Sequence, residues 1–153
     1  MKKKRKLRLY QTLKLTLERE EYLDVVWGRE ERRAMAALRG GTNMLRIETG
    51  RWIKEKINER TCCLCASGQV EDEVHALLEC STYTRERRIM FQNILSRTGI
   101  DCRRMEDDRE WMVQMLIGVG SFGGRQKRDC IAKEVAKFLE KLFKRRAMLL
   151  KSD

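Results

Sequence analysis

The apolar positions of this chain fall mostly at helical spacing, and the elements they predict are short amphipathic helices. In "KLRLYQTLKLTLEREEYL", Leu7, Tyr10, Leu13 and Leu17 share one helical face. Leu13, Leu15 and Leu17 also alternate as a strand would, but the segment reads as helix. "REERRAMAAL" is rich in good helix formers and runs into Gly40 and Gly41, a plausible stop. "MLRIETGRW" places β-branched and apolar residues ahead of Gly50, which reads as a brief extended piece or turn. Further on, "RRIMFQNIL" offers Ile89, Met90 and Ile94, and "REWMVQMLIG" offers Trp111, Met112, Met115 and Leu116, as apolar faces of two more helices. Gly118, Gly120, Gly123 and Gly124 then predict a loop.

The final helix is the clearest element. Ile131, Val135, Phe138 and Leu142 line one side, and Lys133, Lys137, Lys141 and Lys144 line the other. The lysine stripe has two readings, a solvated helix face and a surface that contacts phosphates.

Composition agrees with the periodicity. The chain has 153 residues, 42% hydrophobic and 37% charged, and no proline, which suits helices better than a turn-rich β-sandwich. The expectation is a mainly α fold of short helices, with a basic amphipathic helix closing the chain. Three segments are expected: a helical one over 1–58, a unit over 59–95 that holds four cysteines and the one histidine, and a basic helical one over 96–153.

Charge changes the picture of what the surface is for. The formal net charge is +11, enough to attract polyanions, so nucleic acid is the first partner to consider. The cations cluster: "MKKKRKLR" holds six and no anion, and Arg125 to Lys151 holds ten against Asp129, Glu134 and Glu140. No window approaches the roughly 20 apolar residues of a membrane span, and no apolar core follows the basic start. An intracellular location, nuclear or cytoplasmic, is expected, and no membrane partner.

In a reducing compartment, six cysteines point to metal ligands or buried thiols rather than disulfides. Cys62, Cys65, His75 and Cys80 follow the pattern C-x2-C-x9-H-x4-C, and His75 is the chain's one histidine. Two cysteines separated by two residues can wrap a tight turn that aims both sulfurs at one ion, as structural zinc sites do. Ser67 and Gly68 supply a turn, and the acidic run Glu71, Asp72, Glu73 suits a helix start. Positions 75 and 80 lie about 140° apart on an ideal α-helix, so both cannot reach one ion from an unbroken one. The helix is therefore expected to stop or loosen near Leu78 or Glu79. A closed site of three sulfurs and one nitrogen would contribute on the order of 10 kcal/mol to local folding. Cys63 should point away from this site, with a substitute ligand as its alternative role. The plain alternative for the whole constellation is a set of buried thiols and an incidental histidine.

"LRGGTNMLRIETGRW", "ERTCCLC", "VEDEVHALLEC" and "STYTRERR" closely resemble the region that follows the polymerase domain in reverse transcriptases of non-LTR, LINE-type retrotransposons. The resemblance runs from about Lys6 to Arg88 and continues more loosely to the basic final helix. It implies a CCHC zinc element, here Cys62, Cys65, His75 and Cys80, that helps bind the element's RNA and its target DNA during target-primed reverse transcription. The family often has another residue where this chain has Cys63. The polymerase portion of such a parent protein is a second expected partner.

Nothing in this chain reads as a catalytic site. Reverse transcription needs an aspartate pair on a hairpin with apolar flanks, and "RMEDDRE" lacks those neighbours, so Asp107 and Asp108 read as a solvated turn. "GVGSFG" lacks the βαβ setting of a dinucleotide site, and a Ser or Cys triad would need the histidine that the metal site claims. Cys102 and Cys130 read as small buried hydrophobes. Trp27, Trp52 and Trp111 read first as core anchors, with Trp52, flanked by Arg51 and Lys54, the best candidate for a base-stacking ring. Arg85, Arg87 and Arg88 follow Cys80 and, with Tyr83, read either as cations and a ring beside the knuckle for RNA, or as a helix face paired with Glu86. Two functions remain: a zinc-stabilised region that binds RNA or an RNA/DNA hybrid, and a structural zinc module whose basic surface docks onto an acidic protein.

Overall fold

The long last helix organises the rest of the molecule. The computed structural model describes residues 18–105, 108–117 and 123–152. In chain order the helices are α1 (Tyr22–Val25), α2 (Arg29–Gly40), α3 (Arg46–Trp52), α4 (Thr84–Thr98), α5 (Arg109–Leu116) and α6 (Arg125–Leu149). Single 3-10 turns lie at Ile57–Glu59, Ser81–Tyr83 and Cys102–Met105, and a π turn lies at His75–Glu79. Among the described residues there is no strand, only an isolated antiparallel bridge between Thr61 and Val70. The mainly α fold expected from periodicity is the fold observed. The helix expected across Leu7 to Leu17, and most of the glycine loop, lie outside the described residues.

Helix α6 is 25 residues long, roughly 37 Å at the α-helical rise. Its apolar side, from Ile131 through Val135, Phe138 and Leu139 to Leu142, is buried against α2 and α4. Asn93 donates to Glu134 at 2.9 Å, and Arg145 pairs with Glu86, so α4 and α6 run antiparallel. Met35, Leu38, Leu45, Leu77, Met90, Ile94 and Leu116 complete one hydrophobic cluster that draws on residues before, within and after the cysteine segment.

Local signals are met at two ends. Helix α2 stops where predicted, with Gly41 left-handed at φ 63° and the Thr42 amide closing on the Ala37 carbonyl at 3.0 Å. Asp108 accepts the Trp111 amide at 2.9 Å and caps α5, so this residue of the acidic pair serves a helix start.

The segment "RIETGRW" departs from expectation: it is helix α3, not an extended piece or turn. Gly50 is there for proximity rather than for a bend. A Cβ at this position would meet the Arg60 stem at 2.5 Å. Arg60 crosses the helix at that gap and donates to the carbonyls of Ile47 and Glu55, each at 2.7 Å. The tryptophans also depart from expectation, because methionine and leucine fill the core. Trp27 and Trp52 are 81% and 57% exposed, and only Trp111 packs against the core.

The cysteine segment is fastened to this frame at Glu71. Its carboxylate takes two hydrogen bonds from Arg146 of α6, at 2.9 and 2.8 Å, and one from the Arg46 amide at the start of α3, at 2.8 Å. Its own amide donates to the Arg60 carbonyl at 3.0 Å, and its carbonyl accepts from Ile47 at 3.0 Å. Both charged side chains are buried. Removing one partner of such a pair leaves a charge in a poor dielectric. Arg146→Met should therefore lower unfolding stability by about 3–5 kcal/mol in a urea titration, and adding Glu71→Met should restore part of that loss.

Candidate metal centre

The chain enters the cysteine segment as a miniature hairpin. The Glu71 amide bonds to the Arg60 carbonyl and the Cys62 amide to the Gln69 carbonyl at 2.8 Å, with the Thr61–Val70 bridge between them. Gly68, left-handed at φ 68°, turns the loop, as a residue without Cβ does readily. The Ser67 hydroxyl lies 3.1 Å from Cys65 Sγ and accepts the Gln69 amide at 3.3 Å. Cys62 and Cys65 thereby face the same side.

His75 and Cys80 join them by a device the sequence indicated only in outcome. Asp72 accepts the His75 amide at 2.9 Å and starts the turn. From His75 the helix widens into a π turn through Glu79, closed by the Cys80 amide on the His75 carbonyl at 2.7 Å. Closure from i to i+5 carries residues five apart to nearly the same face, which an α-helix does not. The loosening expected near Leu78 or Glu79 therefore spans the whole stretch from the histidine. Cys80 then leaves with an extended ψ of 121°.

The four donor atoms of Cys62, Cys65, His75 and Cys80 all lie within 4.8 Å of one another. Cys62 and Cys80 sulfurs are 3.9 Å apart, and Cys65 Sγ is 3.4 Å from His75 Nε2. His75 Nδ1 donates to Gln69 Oε1 at 3.0 Å, with Glu79 at 3.7 Å, which orients the ring so that Nε2 faces the sulfurs. Three of the donors are buried and Cys65 is half-buried. Burial pushes the Cys62 thiol up to about 12, and the nearby Cys80 and Glu71 add to this against opposing backbone hydrogen bonds. Burial also acts on Cys65, but hydrogen bonds from Ser67, Cys62 and His75 outweigh it and bring that thiol down to about 6. A cation among these sulfurs would favour the thiolate form of each. The donors present are thus those that could hold a metal ion.

Cys63 is exposed and does not join the four, as expected. Cys102 is buried, and burial followed by the neighbouring Asp101 raises its thiol to about 11.

The cations expected to meet nucleic acid separate into two groups. Lys133, Lys137, Lys141 and Lys144 are exposed and lie within about 80° of one another around α6, with Lys137 beside Glu134 and Lys144 beside Glu140. Arg85 and Arg88 are exposed on α4. Arg87 is a correction, because it is buried and donates to the carbonyls of Leu77 at 2.7 Å, Cys80 at 2.8 Å and Ala76 at 3.3 Å. The π turn leaves the Ala76 and Leu77 carbonyls to Arg87, and the planar guanidinium fork adds a second donor to the Cys80 carbonyl, which also accepts the Tyr83 amide at 3.2 Å. Tyr83 is also buried, so it offers no ring to a base. Burial, then the charges of Glu71 and Cys80, push its hydroxyl well above the usual tyrosine range. Gln69, Glu71 and Arg87 support the site and carried no signal of that role in the sequence. Compared with protein-family models, curated proteins and solved structures, the chain matches none.

Metal content and mutation test the centre together. Protein purified without added metal should carry one divalent ion per chain by elemental analysis. Cys80→Ser should lose it and Cys63→Ser should keep it. Gln69→Ala, which frees the imidazole, should weaken metal affinity roughly 10–100-fold in a chelator competition.

Proposed function

We propose that this chain is a non-catalytic, zinc-stabilised region that binds RNA or an RNA/DNA hybrid. Zinc suits the donor set, because thiolate and imidazole are its preferred structural ligands. A tetrahedron with bonds of about 2.3 Å has edges of about 3.8 Å, close to the 3.9 Å between Cys62 and Cys80 sulfurs. Four protein donors fill such a shell, so the ion's task is to fix the fold of the knuckle and not to activate a substrate. The resemblance to the tail of LINE-type reverse transcriptases points the same way.

The observation that carries the nucleic-acid reading is the lysine stripe. Lys133, Lys137, Lys141 and Lys144 occupy the exposed side of the longest helix, on a chain of net charge +11. Their ammonium groups are spaced along a rigid rod, as a phosphate backbone requires. Backbone contacts of this kind release counterions, so affinity depends steeply on salt. The second reading, a structural zinc module docked on an acidic protein such as the rest of a polymerase, is favoured by the buried Glu71–Arg146 fastening of the knuckle to α6.

Charge reversal separates the two. Replacing Lys133, Lys137 and Lys141 with Glu should abolish RNA binding at moderate salt and leave Tm within about 2 °C, since exposed charges contribute little to stability. Each lost phosphate contact should flatten the slope of log K against log salt by about 0.7–0.9. Unchanged RNA binding in this variant, or a flat salt response in the original protein, would favour the docking reading.

A further inference from the structure

We infer that Trp52 and Lys54, at the end of α3, form a stacking site for an unpaired base of a single-stranded nucleic acid, a finer statement that rests on the reading above. Trp52, Ile53 and Ile57 are 57%, 66% and 56% exposed, and all three lie within six positions of chain where α3 meets the turn at Ile57–Glu59. An exposed indole close in the chain to two exposed isoleucines is apolar surface that the core does not use. Every base offers a π-face to such a ring, and cations beside it hold the backbone.

The charge around the ring favours an anionic strand. Arg46 is paired with Glu55, and Arg51 with Glu48, which leaves the exposed Lys54 and Lys56 to solvent. Trp27 is more exposed, but the chain from Glu18 to Arg33 carries six carboxylates against four guanidinium groups, whereas Arg46 to Arg60 carries five cations against three carboxylates. An acidic surround repels phosphate, so exposure alone does not make Trp27 equivalent.

The backbone adds an independent observation. Helix α3 ends with the Glu55 amide on the Gly50 carbonyl at 2.9 Å and the Lys54 amide on the Arg51 carbonyl at 3.2 Å. This closure demands a left-handed residue, which is almost always glycine. Here it is Lys54, at φ 59°. A side chain kept where glycine would be less strained points to a use for that side chain. The same frame links the stacking site to the metal centre, because Glu71 holds both the start of α3 and α6.

The experiment measures binding of a fluorescent 12-nucleotide mixed-sequence RNA, single-stranded or annealed, by anisotropy across a salt series. Trp52→Ala should weaken single-strand binding about tenfold with an unchanged salt slope. Trp52→Phe should stay within about threefold of the original, Trp27→Ala should change nothing, and duplex binding should move less than about twofold. Lys54→Gly should raise Tm by about 2–4 °C while reducing the single-strand salt slope by about 0.7. Single-strand affinity unaltered by Trp52→Ala, a loss shared equally with duplex, or a Lys54→Gly variant with an unaltered slope would each overturn the inference. Failure of the original protein to bind RNA would overturn the broader reading with it. Salt-dependent binding that survives Trp52→Ala but not the lysine reversal would sink this inference alone.

Discussion

Glu71 is buried with one oxygen on Arg146, the other shared between Arg146 and the Arg46 amide, and both of its backbone groups bonded to the chain around α3. Two buried side chains are thus an ion pair, a condition that persists only when their donors and acceptors are matched. The geometry of the hairpin, the entry to α3 and the C-terminal half of α6 are all conditions of that match. Glu71 ties the segment that carries the four candidate metal donors into the frame.

Arginine plays the same part elsewhere. Arg39, Arg60, Arg87 and Arg146 are buried, and each sends its guanidinium to backbone carbonyls or a carboxylate. Short helices make this necessary, since each leaves about four carbonyls without partners at its end. The π turn is the acute case, because widening the helix to bring Cys80 beside His75 leaves the Ala76 and Leu77 carbonyls for Arg87 to take up. The chain's positive charge is therefore partly internal. Among the described residues, exposed cations include Lys133, Lys137, Lys141 and Lys144 on α6 and Lys54 and Lys56 after α3.

Local patterns were legible. The spacing of Cys62, Cys65, His75 and Cys80 picks out the four donors that the structure brings together, because that grouping depends on residues close in sequence. The glycine pair at 40–41 ends α2 because only the local backbone is involved. The two faces of α6 follow from its period. The expectation for "RIETGRW" failed because Gly50 answers to Arg60, ten residues on, and not to its own neighbours. Arg87 was misplaced for a related reason: the Ala76 and Leu77 carbonyls it bonds are placed to receive it only once the π turn has formed.

The sequence by itself determined the helical class, the four donors and the basic face of the last helix, since each depends on side chains a few residues apart. Tertiary structure alone decided which of 34 cations lie inside, and that Glu71 would meet Arg146 across 75 positions of chain. It also decided that Trp52 would stay outside while methionines filled the core. Those outcomes depend on where a charge or a ring can be both matched and packed, and that is settled only when the helices have come together.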